Sequence, residues 1–229
     1  MVDLALVKLG VSRATLLRLS SVVGSAAIFG MLAAPVTRGA YWPSAFALAF
    51  LYGFFFVGGT GYRILIAVAF QDGSRKASAS WSGATTASAL AALTAAILLI
   101  GRNGDANLVL AAYAVAINAA YIPVKFACLE AGCCHAHRRD PFLIRNHDLR
   151  HVEIAWSVVV VAACLASIWM DAFGVAAVLG IGGHLAIRVL SRWSRDRLPG
   201  SGREDDLKGQ ELLPLALAVA VAIWTAALQ

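Results

Sequence analysis

The residues of this chain that could do chemistry lie in three polar segments, which long apolar stretches separate. The first, residues 58–63, reads Gly-Gly-Thr-Gly-Tyr-Arg, and its glycines permit a close backbone approach by a helix or a ligand. The second, residues 125–153, combines cations, acids, cysteines and histidines. The third, residues 188–210, opens with three arginines. Together these segments offer groups that bind anions and move protons.

The arginines of the third segment, Arg188, Arg192 and Arg195, are spaced by four and three residues. A helix would therefore carry all three guanidinium groups on one face. A guanidinium binds phosphate through paired, charge-assisted hydrogen bonds, so this row indicates a site for a phosphate group. The alternative is a set of anchors whose charged ends reach the lipid headgroups.

The second segment resembles a metal site in composition, since it holds Cys128, Cys133, Cys134, His135 and His137. The adjacent cysteine pair nevertheless lacks the spacing that lets two thiolates reach one tetrahedral ion without strain. We therefore expect neither a metal nor a cofactor.

The elements that must position these groups are membrane helices. Hydrophobic residues make up 60% of the chain and charged residues 14%, and no apolar stretch alternates as a β-barrel strand would. Most stretches approach the roughly 20 residues that a helix needs to cross a bilayer. We predict an all-α transmembrane bundle of about seven spans: Ser20 to Thr37, Gly39 to Tyr62, Ala77 to Gly101, Ala106 to Val124, Ile154 to Met170, Ala172 to Ile187 and Leu212 to Gln229.

The chain ahead of the first span, residues 1–19, carries Lys8, Arg13 and Arg18 on an apolar background, which predicts an interfacial amphipathic helix before a membrane domain of residues 20–229. The formal net charge is +6. In a membrane protein such a charge indicates anionic phospholipid headgroups as partners, and no aromatic platform or basic reading helix indicates nucleic acid. The sequence gives no reason to predict an oligomer.

Several separated segments together resemble the motifs of one family. Residues 125–136 read Lys-Phe-Ala-Cys-Leu-Glu-Ala-Gly-Cys-Cys-His-Ala, and residues 150–153 read Arg-His-Val-Glu. Gly-Gly-Thr-Gly-Tyr stands at 58–62, Ser-Trp-Ser-Gly at 80–83, an arginine-rich stretch at 188–195 and Lys-Gly-Gln at 208–210. In order and spacing they resemble the prolipoprotein diacylglyceryl transferases, seven-span enzymes of the bacterial inner membrane. The likeness runs from about Gly39 to the carboxyl end.

The resemblance implies transfer of a diacylglyceryl group from phosphatidylglycerol to a cysteine thiol of a secreted preprotein. It also implies catalytic roles for Lys125, Glu153 and Arg188, because Lys125 and Arg188 match two essential arginines and Glu153 matches a conserved acid. The positions that it implies for substrate binding are Gly58, Gly59, Tyr62, Trp81, Cys128, Gly132, Arg192, Arg195, Gly209 and Gln210.

Departures from the family pattern concentrate at this site. Lys125 stands where the family has arginine, Trp81 where it has histidine or tyrosine, Thr60 for arginine, Arg192 for glutamate and Ala136 for glycine. These exchanges indicate a changed substrate, so a divergent transferase with another acceptor is a second reading. The alternative is a non-catalytic lipid-binding or scaffold protein. A transporter is disfavoured, because the ionisable residues flank the predicted spans.

The identity of a general base is open, with the histidines of the second segment as candidates.

Two arguments disagree on the orientation in the membrane. Nearly all cations fall on one side of a seven-span topology, which the positive-inside rule assigns to the cytoplasm. The resemblance implies the opposite orientation, and cations that bind lipid phosphate weaken the count, so we favour the family orientation.

Overall fold

The computed structural model describes residues 12–37, 41–52, 81–100, 105–131, 148–194 and 211–227, and within these ranges the regular structure is entirely α-helical. The helices are α1 Arg13–Thr37, α2 Tyr41–Tyr52, α3 Trp81–Leu99, α4 Asp105–Glu130, α5 Leu149–Trp169, α6 Phe173–Ser194 and α7 Leu212–Ala227. Five of them, α1 and α3 to α6, are long and apolar enough to cross a membrane, and α7 is a shorter apolar helix. The predicted all-α membrane bundle is confirmed.

Helix α4 lies at the centre of the bundle. It packs against α1, α3, α5, α6 and α7, while the pairs α1–α2, α2–α3, α3–α7, α7–α6 and α6–α5 form the layer around it. Alanine makes this possible, since Ala111, Ala112, Ala114, Ala116 and Ala120 are all buried on α4. Small side chains let helix backbones approach closely where van der Waals packing drives association.

Polar side chains point into the bundle and large apolar ones point out of it. Asn118, Ser157 and His184 have no exposed surface, whereas Val159, Trp169 and Met170 are between 66% and 91% exposed. In water, both the buried polar side chains and the exposed apolar ones would be unfavourable. In a membrane the apolar side chains on the outside contact the lipid hydrocarbon, which is favourable. The pattern agrees with a membrane protein.

Three predicted span boundaries fall short of the helices. We predicted ends at Val124 and Ile187 and a start at Ile154, which left Lys125, Glu153 and Arg188 just outside the hydrocarbon-spanning helices. Instead α4 continues to Glu130, α5 begins at Leu149 and α6 continues to Ser194. A charged residue was read as the end of a span, but here the charges have partners inside the bundle. Helix α1 likewise crosses residue 19 without a break, while the predicted interfacial segment otherwise lies outside the described residues.

Helix directions bring the ends of several described helices together at one end of the bundle. Helices α3, α5 and α7 begin where α4 and α6 finish, and Phe50 near the end of α2 packs edge-on against Trp81 at the start of α3, with ring centroids 5.2 Å apart. We call this the polar end. The described residues that flank segments 53–80, 132–147 and 195–210 all lie there. At the opposite end, short connections join consecutive helices, including the turn between α5 and α6 at 170–172.

Gly180 allows the closest approach of α6 to its neighbours. A Cβ atom at this position would lie 2.5 Å from the Cβ of Ala114 and 2.7 Å from the Sγ of Cys164. We expect Gly180→Ala to destabilise the protein by about 1 to 3 kcal/mol through overpacking. Two residues on, a Cβ atom at Gly182 would meet nothing within 4 Å. Gly182→Ala should therefore be neutral or slightly stabilising, and equal effects of the two exchanges on detergent-monitored unfolding would contradict this packing.

Candidate functional site

One face of α4 carries three of the buried polar groups of the bundle. Asn118, Tyr121 and Lys125 follow one another at spacings of three and four residues, which places them on a single helical stripe. All three are buried, and Lys125 is only 2% exposed. The stripe meets Glu153 on α5 and Arg188 on α6, so residues far apart in sequence converge at the polar end.

The first half of the site joins α4 to α5. The Nζ of Lys125 lies 2.5 Å from Oε2 of Glu153, and the hydroxyl of Tyr121 donates to Oε1 of the same carboxylate at 2.7 Å. Glu153 has no exposed surface. A carboxylate buried in a membrane helix needs such compensation, because an unpaired charge there costs several kcal/mol.

The second half joins α6 to the residue just before α7. Arg188 donates from Nε and from one terminal nitrogen to Oε1 of Glu211, at 2.9 and 2.5 Å. Its other terminal nitrogen donates to the Tyr121 hydroxyl at 3.2 Å, and the hydroxyl of Ser82 on α3 donates to Oε2 of Glu211. Tyr121 thereby connects both halves into one network. We call Ser82, Tyr121, Lys125, Glu153, Arg188 and Glu211 the ion-pair cluster.

The ring of Tyr121 is the common contact of the site. Lys125 Nζ lies 4.7 Å and Arg188 Cζ 5.8 Å from its centroid, distances at which a cation is attracted to the face of an aromatic ring. The rings of Trp81 and His184 lie at 5.4 and 5.0 Å from it, centroid to centroid. Tyr121 has no exposed surface. A change at this ring would therefore disturb both cations together.

Beneath the cluster, one turn before Arg188 on α6, His184 is held by Asn118. The amide nitrogen of Asn118 donates to the carbonyl oxygens of Ala114 and Gly180, at 2.8 and 2.9 Å. Its amide oxygen lies 3.3 Å from Nδ1 of His184. The other ring nitrogen, Nε2, is buried and has no hydrogen-bond partner among the described residues.

The start of α5 is fixed to the end of α4 by Arg150. Asp148 caps α5, accepting from the backbone N–H of Arg150 at 2.9 Å, and it also pairs with the Arg150 guanidinium. The same guanidinium donates to the carbonyl oxygen of Cys128 at 3.0 Å, in the last turn of α4, where carbonyls lack helical partners. Hydrogen bonding to Arg150 lowers the pKa of the Asp148 carboxyl group from 3.8 to about 2. The cap therefore stays charged in mildly acidic solution.

The three residues expected to be catalytic, Lys125, Glu153 and Arg188, meet in this cluster. Of the expected binding residues, Trp81 contacts Tyr121, and Cys128 is buried in the last turn of α4. Arg192 lies on α6, although its side chain is outside the described residues, so the expected arginine row stays a prediction. The other expected binding positions lie outside the described residues: Gly58, Gly59, Tyr62, Gly132, Arg195, Gly209 and Gln210.

Five residues of the site were not singled out from the sequence, and Asn118, three residues before Tyr121, is one of them. Tyr121 stands four residues before Lys125, Ser82 follows Trp81, and Glu211 directly follows Gly209-Gln210. His184 stands inside an apolar span four residues before Arg188. The available signal was helical spacing from a residue already chosen, or an ionisable group within or beside a span, which in membrane proteins marks function by default.

No protein-family model, curated protein or solved structure matches the chain. The site therefore has to be interpreted from its own geometry. Within the described ranges no three His, Cys, Asp or Glu side chains group as metal ligands, and the cysteines and histidines at 133–137 lie outside those ranges.

The cluster can do two kinds of chemistry. Its cations, each held by a carboxylate, can stabilise negative charge that develops on a bound anion, provided that the anion displaces a carboxylate oxygen. The hydrogen bonds that link Glu153 through Tyr121 to Arg188 can also rearrange when the charge at either end changes. Both properties suit the transfer of a group that leaves as an anion.

Proposed function

We propose that the protein is a phospholipid-dependent transferase of the membrane, which moves the diacylglyceryl group of an anionic phospholipid to a thiol or hydroxyl acceptor. The observation that carries the proposal is the convergence of Lys125, Glu153 and Arg188, from three helices, in one hydrogen-bonded cluster. The resemblance to prolipoprotein diacylglyceryl transferases had selected these residues from separate motifs. Phosphatidylglycerol is the donor that it implies.

In the proposed reaction, the sulfur or oxygen of the acceptor attacks the terminal glyceryl carbon of the lipid. A new bond forms at this carbon while its bond to the phosphate oxygen breaks, and the electron pair leaves with the glycerol phosphate. The added negative charge falls on the phosphate group. Arg188, released from Glu211 by the phosphate, and Lys125 are the groups that would stabilise it.

A second candidate is a non-catalytic lipid-binding or scaffold protein, and one observation favours it. The two cations of the cluster are matched by two carboxylates, so their charges are compensated within the protein. In that case the network would have a structural role alone, which is to hold α3 to α7 together at the polar end. A buried ion pair is by itself weak support for either role.

The test follows the lipid and the acceptor separately. The purified protein would be placed in vesicles that contain phosphatidylglycerol labelled in the acyl chains or in the headgroup, together with a lipobox peptide. We expect headgroup label in released glycerol phosphate, and acyl label on the peptide where a lipobox thiol is the acceptor. Lipid turnover without peptide modification would identify a different acceptor, and no turnover across a panel of anionic lipids would establish the non-catalytic candidate.

The variant for this test removes the cation without leaving an unpaired charge. In Arg188→Gln/Glu211→Gln both partners become neutral amides, so no buried charge is left unpaired and the fold should survive. We expect a loss of transfer of about 10²- to 10³-fold, the usual effect of deleting a group that stabilises developing charge. The matched control is Arg18→Gln, because Arg18 is an exposed arginine near the start of α1. Equal activity of the two variants would contradict the assigned role of Arg188.

A further inference from the structure

Trp81 leaves the site without an obvious proton acceptor, since an indole N–H only donates. The two carboxylates of the cluster are engaged by Lys125, Tyr121, Arg188 and Ser82. A transfer to a thiol or hydroxyl still releases a proton, and a group within the site has to take it. His184 is the remaining basic side chain at the Tyr121 ring.

The hydrogen bonds of Asn118 determine the tautomer of His184. Carbonyl oxygens can only accept, so the amide group that faces Ala114 and Gly180 must be the NH₂ group. The atom that faces His184 is then the amide oxygen, which also only accepts. Nδ1 of His184 must therefore carry the hydrogen of this bond. In a neutral imidazole the lone pair is consequently on Nε2.

The position of His184 fits a proton acceptor. Its side chain has no exposed surface, and its ring packs edge-on against Tyr121, one turn before Arg188 on the same helix. Nε2 has no partner among the described residues, whereas Nδ1 is held. An imidazole whose one nitrogen is anchored and whose other nitrogen has a lone pair is the arrangement used in general base catalysis.

We propose that Nε2 of His184 is the general base of the transfer, an inference that rests on the proposed function. The acceptor thiol or hydroxyl gives its proton to Nε2 as its sulfur or oxygen attacks the glyceryl carbon. The resulting imidazolium keeps its hydrogen bond from Nδ1 to the amide oxygen of Asn118. The proton then passes to the leaving glycerol phosphate, so that His184 is neutral again and the atoms balance.

The first test measures the tautomer directly, by nitrogen NMR of protein that contains ¹⁵N-labelled histidine. We expect the signals of a neutral ring with the hydrogen on Nδ1, assigned to His184 by their disappearance in His184→Asn. A hydrogen on Nε2 would overturn the proposal, whatever the protein's activity.

The second test separates chemistry from folding and binding. In His184→Asn the new amide can still donate to Asn118, but nothing stands at the position of Nε2. We expect kcat to fall about 10²-fold or more, as for loss of a general base, while the KM for lipid and the midpoint of thermal unfolding change little. The control is Tyr113→Phe, which removes a buried hydroxyl on α4, two helical turns before Tyr121. This variant should retain kcat.

The outcomes distinguish the two proposals. An active wild type whose kcat is unaffected by His184→Asn would overturn the base assignment and leave the transferase intact. A wild type without turnover on any lipid would overturn the transferase, and the base assignment with it. A parallel fall of kcat and unfolding midpoint in His184→Asn would indicate a packing role, and would also count against the base.

Discussion

Glu153→Gln is expected to lower the free energy of unfolding by about 3 to 5 kcal/mol, because it leaves the buried ammonium group of Lys125 without its counterion. The two side chains are 2% and 0% exposed, so water cannot compensate for the loss. Glutamine has nearly the shape of glutamate, so the change isolates the charge. The measurement is reversible unfolding in mixed detergent micelles, followed by helical circular dichroism.

The double exchange Lys125→Met/Glu153→Gln should recover most of that loss, since no charge then remains unpaired. The control is Glu130→Gln, in the last turn of α4, where the side chain is exposed and the expected change is within about 0.5 kcal/mol. If Glu153→Gln were as mild as this control, Lys125 would have to be compensated by another group. The cluster as described would then be wrong.

The polar end is expected to face the cytoplasm. All but three of the 19 lysine and arginine residues lie at this end or in segments that join described helices there, the exceptions being Lys8, Arg38 and Arg102. From the sequence we favoured the opposite orientation, because cations that bind lipid phosphate weaken the positive-inside count. The asymmetry persists when Lys125 and Arg188, the two cations assigned to lipid phosphate, are left out of the count.

Single cysteines would test this orientation in a variant whose four native cysteines are replaced by alanine. Met170→Cys, in the 71% exposed position at the tip of α5 and α6, should react with a membrane-impermeant maleimide on intact cells. Glu130→Cys, exposed at the polar end, should react only after permeabilisation. The reverse pattern would place the site where secreted preproteins emerge and would favour a preprotein thiol as acceptor. The expected pattern favours a cytoplasmic acceptor.

The sequence was sufficient for the fold because lipid enforces a simple rule. Every backbone group must be bonded internally, so each long apolar stretch becomes a helix, and hydropathy alone identifies it. Hydropathy alone also gave wrong positions for the end of α4, the start of α5 and the end of α6. Hydropathy treats Lys125, Glu153 and Arg188 as unfavourable in a span, whereas their mutual pairing, which no single stretch reveals, allows the helices to continue through them.

The site was predictable only in part for a related reason. Motif likeness selected the three residues that converge at Tyr121, but their partners depend on how helices are rotated against each other. Glu211 was not considered in the sequence analysis, and nothing in the sequence indicated that it would meet Arg188 from the start of α7. The role of Asn118 in orienting His184 likewise depends on contacts with Gly180, on another helix. Such pairings belong to tertiary packing.

The turn between α5 and α6 bears on how the protein enters the membrane. It spans only Met170 to Ala172, and Asp171 makes it possible with a left-handed backbone of φ 56°. Between Glu153 and Arg188, Asp171 is the one charged residue. During biogenesis the two helices can thus leave the translocon as a hairpin that is threaded tip first. In the expected orientation a single aspartate would be translocated, while Glu153 and Arg188 would stay on the side where synthesis occurs and meet Lys125 and Glu211 there.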